Sequence, residues 1–180
     1  PTLLQYCAAR ENTWIYGPAG TGKSTAAEKV AEALGLKFYT NGKLENQFEV
    51  LGFINATGRY QETEFRRAFE HGGIYLADEI DGSMPSAVLA MNGALANGHC
   101  PFPDKTVAKH KDFVFLGAAN TTGMGGTIEY VGRMKHDAAF LDRFVTLDWF
   151  LDEGLEEAIT PNKKWLAYVR ETRANLAKNP

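Results

Sequence analysis

The sequence predicts an α/β fold: a mostly parallel five-stranded sheet between helices, with inserted β-hairpins and the start of a small helical unit at its end. Three observations carry this. The apolar run Trp14-Ile15-Tyr16 leads straight into a glycine-rich stretch and then a helical pattern. The runs Gly73-Ile74-Tyr75-Leu76-Ala77 and Phe113-Val114-Phe115-Leu116 lack polar alternation, as strands covered on both faces do. Helical patterns separate the strands, which calls for crossover connections. With 180 residues, 44% apolar and 12% aromatic, the chain can bury one good-sized core but not two large domains.

The elements follow in order. Ala26, Ala27, Val30, Ala31 and Leu34 recur at helical spacing up to Gly35. Lys37-Phe38-Tyr39-Thr40 alternates like a second strand, closed by Asn41-Gly42. Phe48 to Phe53 and Arg59-Tyr60 flank Asn55-Ala56-Thr57-Gly58, which suits a hairpin better than a helix. Phe65, Ala68 and Phe69 mark a helix ended by Gly72-Gly73, and Val88, Met91, Asn92 and Leu95 mark another. Residues 98–112, with Pro101 and Pro103, read as a second hairpin. After the strand at 113–116 and a glycine-rich segment come a short helix around His136 to Leu141 and a strand Phe144-Val145-Thr146-Leu147. Thr160-Pro161 is expected to cap a last helix with Trp165, Leu166, Val169 and Leu176 turned inward. The boundary thus falls between a core of residues 1–150 and a helical segment of residues 151–180.

Composition narrows the function. A net charge of -3 argues against a protein whose main task is coating nucleic acid. Cys7 and Cys100 are too few for a disulfide framework, which suits a reducing compartment. There is no apolar run long enough to span a membrane and no signal-peptide layout at the start, so a cytoplasmic location is expected. The chain opens on Pro1 and stops within a helical pattern, which suggests a segment of a longer protein. His71, His99, His110 and His136 show no metal-ligand spacing. Lys105, Lys109, His110 and Lys111 could touch nucleic acid but read more simply as a solvated hairpin face.

The chemistry lies at predicted strand ends. Gly17-Pro18-Ala19-Gly20-Thr21-Gly22-Lys23-Ser24 fits G-x-x-x-x-G-K-[ST], and Thr25 carries it into the helix. In such a loop, glycines let backbone N–H groups close around phosphate oxygens at a helix N-terminus. Lys23 would reach the β- and γ-phosphates and Ser24 would hold Mg²⁺, so ATP with magnesium is the expected ligand. Asp78-Glu79 ends a hydrophobic strand, the aspartate placed for magnesium and the glutamate for activating water. Asp81 reads as a cap for the next helix. Asn120 follows the neighbouring strand, where its amide could contact the attacking water and the γ-phosphate, although an Asn also suits a plain turn. Arg143 could reach a neighbouring subunit's nucleotide as an arginine finger, or simply pair with Asp142 or Asp148; Arg133 is the second candidate.

Together the phosphate loop, Gly72 to Asp81, Asn120 and Leu141-Asp142-Arg143-Phe144 resemble AAA+ ATPases over roughly residues 10–150. Val50-Leu51-Gly52-Phe53, Gly58, Tyr60 and the Asp-Arg-Phe ending resemble the MoxR and dynein-related branch, whose core carries one hairpin at its second helix and another before the sensor asparagine. The resemblance implies an ATP-hydrolysing homo-oligomer, usually a hexameric ring, that remodels a protein client. It also implies that residues 151–180 begin a helical lid whose sensor arginine lies farther on, so Arg170 and Arg173 read as solvated charges. Two rivals stand beside this: a DNA-acting motor or restriction-type translocase subunit, and a nucleotide-gated binding module that does not hydrolyse.

Overall fold

The structure, a computed structural model, describes residues 2–178. The chain divides after Trp149 into two compact units. The first is built on five strands, β1 (Thr13–Tyr16), β2 (Phe38–Asn41), β5 (Gly73–Ala77), β8 (Phe113–Ala119) and β9 (Val145–Asp148). They lie in the order β2-β5-β8-β1-β9, every pairing parallel. The chain leaves β1 for the far edge, returns through β5 and β8, and then crosses β1 to place β9 outside it. Such a reversal opens a crevice at the C-terminal ends of the central strands.

Side-chain alternation assigns the two faces. Trp14, Tyr75, Phe113 and Phe115 point to one side, packed against α4 (Glu64–His71), α5 (Pro85–Asn97) and α6 (Ala138–Leu141). Ile15, Ile74, Leu76, Val114, Leu116 and Ala118 point to the other, against α1 (Thr2–Ala8) and α2 (Lys23–Ala33). The first face is aromatic, with Phe65 on α4 within 5.2–6.5 Å, ring centre to ring centre, of Phe69, Tyr75, Phe102, Phe113 and Phe115. Thr63 starts α4 by accepting the Arg66 amide at 3.2 Å.

The predicted strands of the sheet all form, but four local expectations need correction. Phe48–Leu51 is a turn of helix, α3, because Asn46 accepts the Phe48 amide and the Leu51 and Gly52 amides bond back to Gln47 and Phe48. The hairpin there is confined to β3 (Phe53–Ile54) and β4 (Tyr60–Gln61). The second hairpin, β6 (His99–Pro101) with β7 (Thr106–Ala108), forms where expected. In the second unit Thr160 closes a helix, α7 (Glu153–Ile159), rather than opening α8 (Lys163–Lys178), whose Trp165 amide is capped by Asn162 at 3.1 Å. On α8 Leu166 is buried, whereas Trp165 and Leu176 are exposed. Arg170 and Arg173 pair with Glu156 of α7, so they hold two helices together instead of being merely solvated.

Candidate functional site

The parallel register brings the ends of β1, β5, β8 and β9 to one edge. Tyr16 is level with Ala119 and Asp148, and Ala77 with Gly117. Three backbone bonds tie the residues just past those ends: Gly17 N–H to the Ala119 carbonyl at 3.2 Å, Trp149 N–H to Tyr16 at 2.8 Å, and Asp78 N–H to Asn41 at 2.8 Å. Over this edge lies a cleft of about 440 Å³ lined by Ala19, Gly20, Thr21, Gly22, Lys23, Ser24, Thr25, Asp78, Glu79 and Asn120. Residues from three separate stretches of sequence therefore converge on one cavity.

The loop between β1 and α2 is held from several sides. Thr21 donates its hydroxyl to the Pro18 carbonyl at 2.8 Å, and Ala19 donates its amide to the Tyr130 hydroxyl at 3.3 Å. The Trp149 indole donates to the Thr21 carbonyl at 2.9 Å. A methyl on Gly17 would fall 1.8 Å from the Trp149 carbonyl oxygen, so this glycine is required by the approach of the next strand end. Gly22, at φ 80°, turns the chain into α2.

Lys23 is buried, and its ammonium arches back over the loop to donate to Gly17 at 2.8 Å, Pro18 at 2.9 Å and the Asn120 side-chain oxygen at 3.3 Å. Burial lowers its pKa below the usual lysine value, partly opposed by Asp78 and Asp81. Ser24 donates to Asp78 at 2.6 Å. Those two hard oxygens, already side by side, suit a cation that takes oxygen ligands at about 2.0–2.1 Å, so the donor set fits Mg²⁺. Glu79 adopts left-handed backbone, φ 51° and ψ 37°, which costs a non-glycine residue roughly 1–2 kcal/mol. That conformation throws its side chain outward, where it is 57% exposed.

Asp81 corrects the sequence reading. It does not cap α5, whose N-cap is Met84. Asp81 is wholly buried, and one carboxylate oxygen accepts the Asn120 amide at 3.0 Å, the Thr121 amide at 2.9 Å and the Thr121 hydroxyl at 3.0 Å. It thereby fixes the turn that carries Asn120. The D-E-x-D spacing was the available signal, but a carboxylate just ahead of a helix looks the same when it caps. Trp149 and Tyr130, which also hold the loop, carry no local signal in the sequence, the one two residues beyond a predicted strand and the other in a segment without periodicity.

The two arginines part company. Arg133 reaches a cleft residue of its own chain, Nη1 3.2 Å from Glu79 and 3.3 Å from Asp81. Arg143 is half-buried in the turn after α6, donates to Asn92 of α5 at 2.5 Å, and does not line the cleft. Lys105 of the basic segment is paired with Glu70 at 2.6 Å.

Residues 12–144 match the family model for the AAA domain, dynein-related subfamily. No curated protein matches the chain at a significant level. Among solved structures, a presumed ATPase of Cytophaga hutchinsonii is similar at TM-score 0.68 and 19% identity, over 88% of this chain and 47% of that one. NtrX of Brucella abortus, also solved in complex with ATP, gives 0.65 and 17% over 83% and 34%. The P216G mutant of Thermotoga maritima RuvB gives 0.58 and 17% over 84% and 44%. The chain thus spans less than half the length of these structures. At such identities the likeness shows a shared fold. No helix among the described residues is long and apolar enough to cross a membrane.

Proposed function

Because the chain belongs to the dynein-related subfamily of AAA domains, we propose that it binds ATP with Mg²⁺ and hydrolyses it to ADP and phosphate as a subunit of a ring-shaped homo-oligomer. The observation that carries this is the single cleft in which the loop residues 19–25 meet Asp78, Glu79 and Asn120. Loop amides and the start of α2 receive the phosphates, as helix N-termini do. The Lys23 ammonium exchanges its bonds to the Gly17 and Pro18 carbonyls for phosphate oxygens. Ser24 and Asp78 hold Mg²⁺, which when bound offsets charge on the β- and γ-phosphates. Glu79, exposed at the cleft, takes the proton of the attacking water, and the Asn120 amide, within 3.3 Å of Lys23, orients that water against the γ-phosphate.

Arg143 belongs to this scheme as a residue acting in the neighbouring subunit's cleft. Its place outside its own cleft supports that role. An arginine supplied in trans is worth about 10³–10⁵ in turnover, so the ring is needed for activity. The unit beginning at Phe150 is the start of a helical lid, and the work drawn from hydrolysis is remodelling of a protein client in the cytoplasm.

The test is Glu79→Gln, with ATP binding and phosphate release measured together. Binding should persist while release falls about 10²-fold or more, the usual share of a positioned general base. Phosphate release at the wild-type rate from Glu79→Gln would overturn the assignment of the base.

A further inference from the structure

We infer that Asp81 and Arg133 are a positioning pair that fixes the Glu79 carboxylate within its own subunit, an inference that rests on the ATPase reading above. One guanidinium nitrogen, Nη1 of Arg133, stands 3.2 Å from Glu79 Oε2 and 3.3 Å from Asp81 Oδ1. The two contacts are unequal. Asp81 is wholly buried, its Oδ1 has no hydrogen-bond partner of good geometry, and among the described residues Arg133 is the one that forms an ion pair with it. A buried carboxylate left without a counter-charge is costly, whereas an exposed ion pair contributes little. Arg133 is therefore anchored on Asp81 and offers the same nitrogen to Glu79, which can let go and return.

The surroundings hold this arrangement. The Met134 amide donates to the Asp81 carbonyl at 2.7 Å, so the residue after Arg133 is pinned to the backbone of the residue it serves. A side-chain carbon on Gly82 would meet Arg133 Nη1 at 2.7 Å; glycine leaves the guanidinium its room. The other Asp81 oxygen carries the turn bearing Asn120. One buried carboxylate thus sets the water-orienting amide through the backbone and the base through Arg133, which fixes the distance between them. This makes Arg133 a positioning residue in cis rather than a finger for the next subunit.

Subunit mixing separates the two. Arg133→Ala should lower kcat about tenfold or more while KM for ATP stays within about twofold, since part of the 10²–10⁴ contributed by a general base depends on its placement. Arg133→Lys should recover part of that loss, keeping charge without the planar fork. Mixed with Lys23→Ala chains, which retain Arg133 but cannot hold nucleotide, Arg133→Ala should regain nothing, whereas Arg143→Ala should regain turnover. Recovery of Arg133→Ala on mixing, or an unchanged kcat, overturns the inference. The pairing has its own readout, independent of turnover and of whether Arg133→Ala folds. Glu79→Gln in the otherwise intact chain should shift the Arg133 guanidinium resonances in ¹⁵N NMR, and unshifted resonances would equally overturn it. If the wild-type chain releases no phosphate under any condition, the ATPase reading fails instead, and the NMR result alone decides the pairing.

Discussion

Gly17→Ala should be among the most damaging single changes available in the phosphate loop, for a reason unrelated to phosphate. The added methyl would sit 1.8 Å from the Trp149 carbonyl oxygen, 2.8 Å from its carbon and 3.4 Å from its Cα. All three are backbone atoms, so no rotamer change relieves the clash. Packed atoms sit roughly 3.5–4.0 Å apart, so the end of β9 has to retreat by roughly 1.5 Å or more. Two bonds are lost in that retreat, the Trp149 amide to Tyr16 at 2.8 Å and the Trp149 indole to Thr21 at 2.9 Å. At about 1 kcal/mol each, added to about 1–3 kcal/mol for overpacking, the cost comes to about 3–5 kcal/mol.

The assay is urea unfolding followed by tryptophan fluorescence, with ATP titration of the folded protein alongside. Gly20→Ala is the internal control, because nothing lies within 4 Å of a methyl there and only the positive φ of 75° opposes it. Its cost should stay near the roughly 1–2 kcal/mol of a left-handed alanine. If Gly17→Ala costs less than Gly20→Ala and leaves ATP affinity unchanged, the Trp149 contact does not constrain the loop and the reasoning fails.

Two other predictions concern the core beneath the cleft. Arg66 is buried between the two hairpins, paired with Glu70 at 2.6 Å and Asp104 at 2.8 Å, its guanidinium 5.0 Å from the Tyr60 ring centre and 4.4 Å from that of Phe102. Arg66→Ala leaves Asp104 without its partner and Glu70 with Lys105 alone, and should cost about 1–3 kcal/mol, with faster amide exchange in residues 53–61 and 99–108 together; protection lost in one hairpin alone would argue against the shared anchor. His136 is buried against Trp14 and Phe140, and burial holds its pKa below the ordinary 6.5. Its contribution is fully present above pH 6.5 and lost as pH falls through the depressed native value, because the unfolded chain takes up the proton first. The melting temperature should fall as pH drops below 6.5, and His136→Leu should flatten that fall.

What the sequence revealed and what it hid follow from how far each signal reaches. The central strands were legible because an unbroken apolar run marks a strand covered on both faces, but only the structure divides the run, with Phe113 and Phe115 serving one core and Val114 and Leu116 the other. Asp78, Glu79 and Asn120 stood out because they are polar groups directly after apolar strands. Asp81 did not, since capping and burial ask for the same residue at the same place. Arg133 lies in a stretch whose shape is set by long-range contacts such as Met134 to Asp81, which no local pattern encodes. On α8 the helical spacing of Trp165, Leu166 and Leu176 marked a helix correctly, but spacing identifies a face and not what lies against it, and only Leu166 of the three is buried.

The cleft residues differ in what fixes them, and that difference bears on the proposed mechanism. The loop and Asp78 are tied to strand ends by backbone bonds, so their spacing is inherited from sheet register, and Asn120 directly follows β8 with its amide held by Asp81. Glu79 sits one residue beyond that frame, on strained backbone, its carboxylate steadied by an arginine rather than by the sheet. Arg143 is farther still from the frame, in the turn after a four-residue helix, with its side chain bonded to Asn92. Binding should therefore be the robust property of this chain and turnover the tunable one. Substitutions in the frame should abolish both, whereas those at Glu79, Arg133 and Arg143 should change rate while leaving ATP affinity nearly intact.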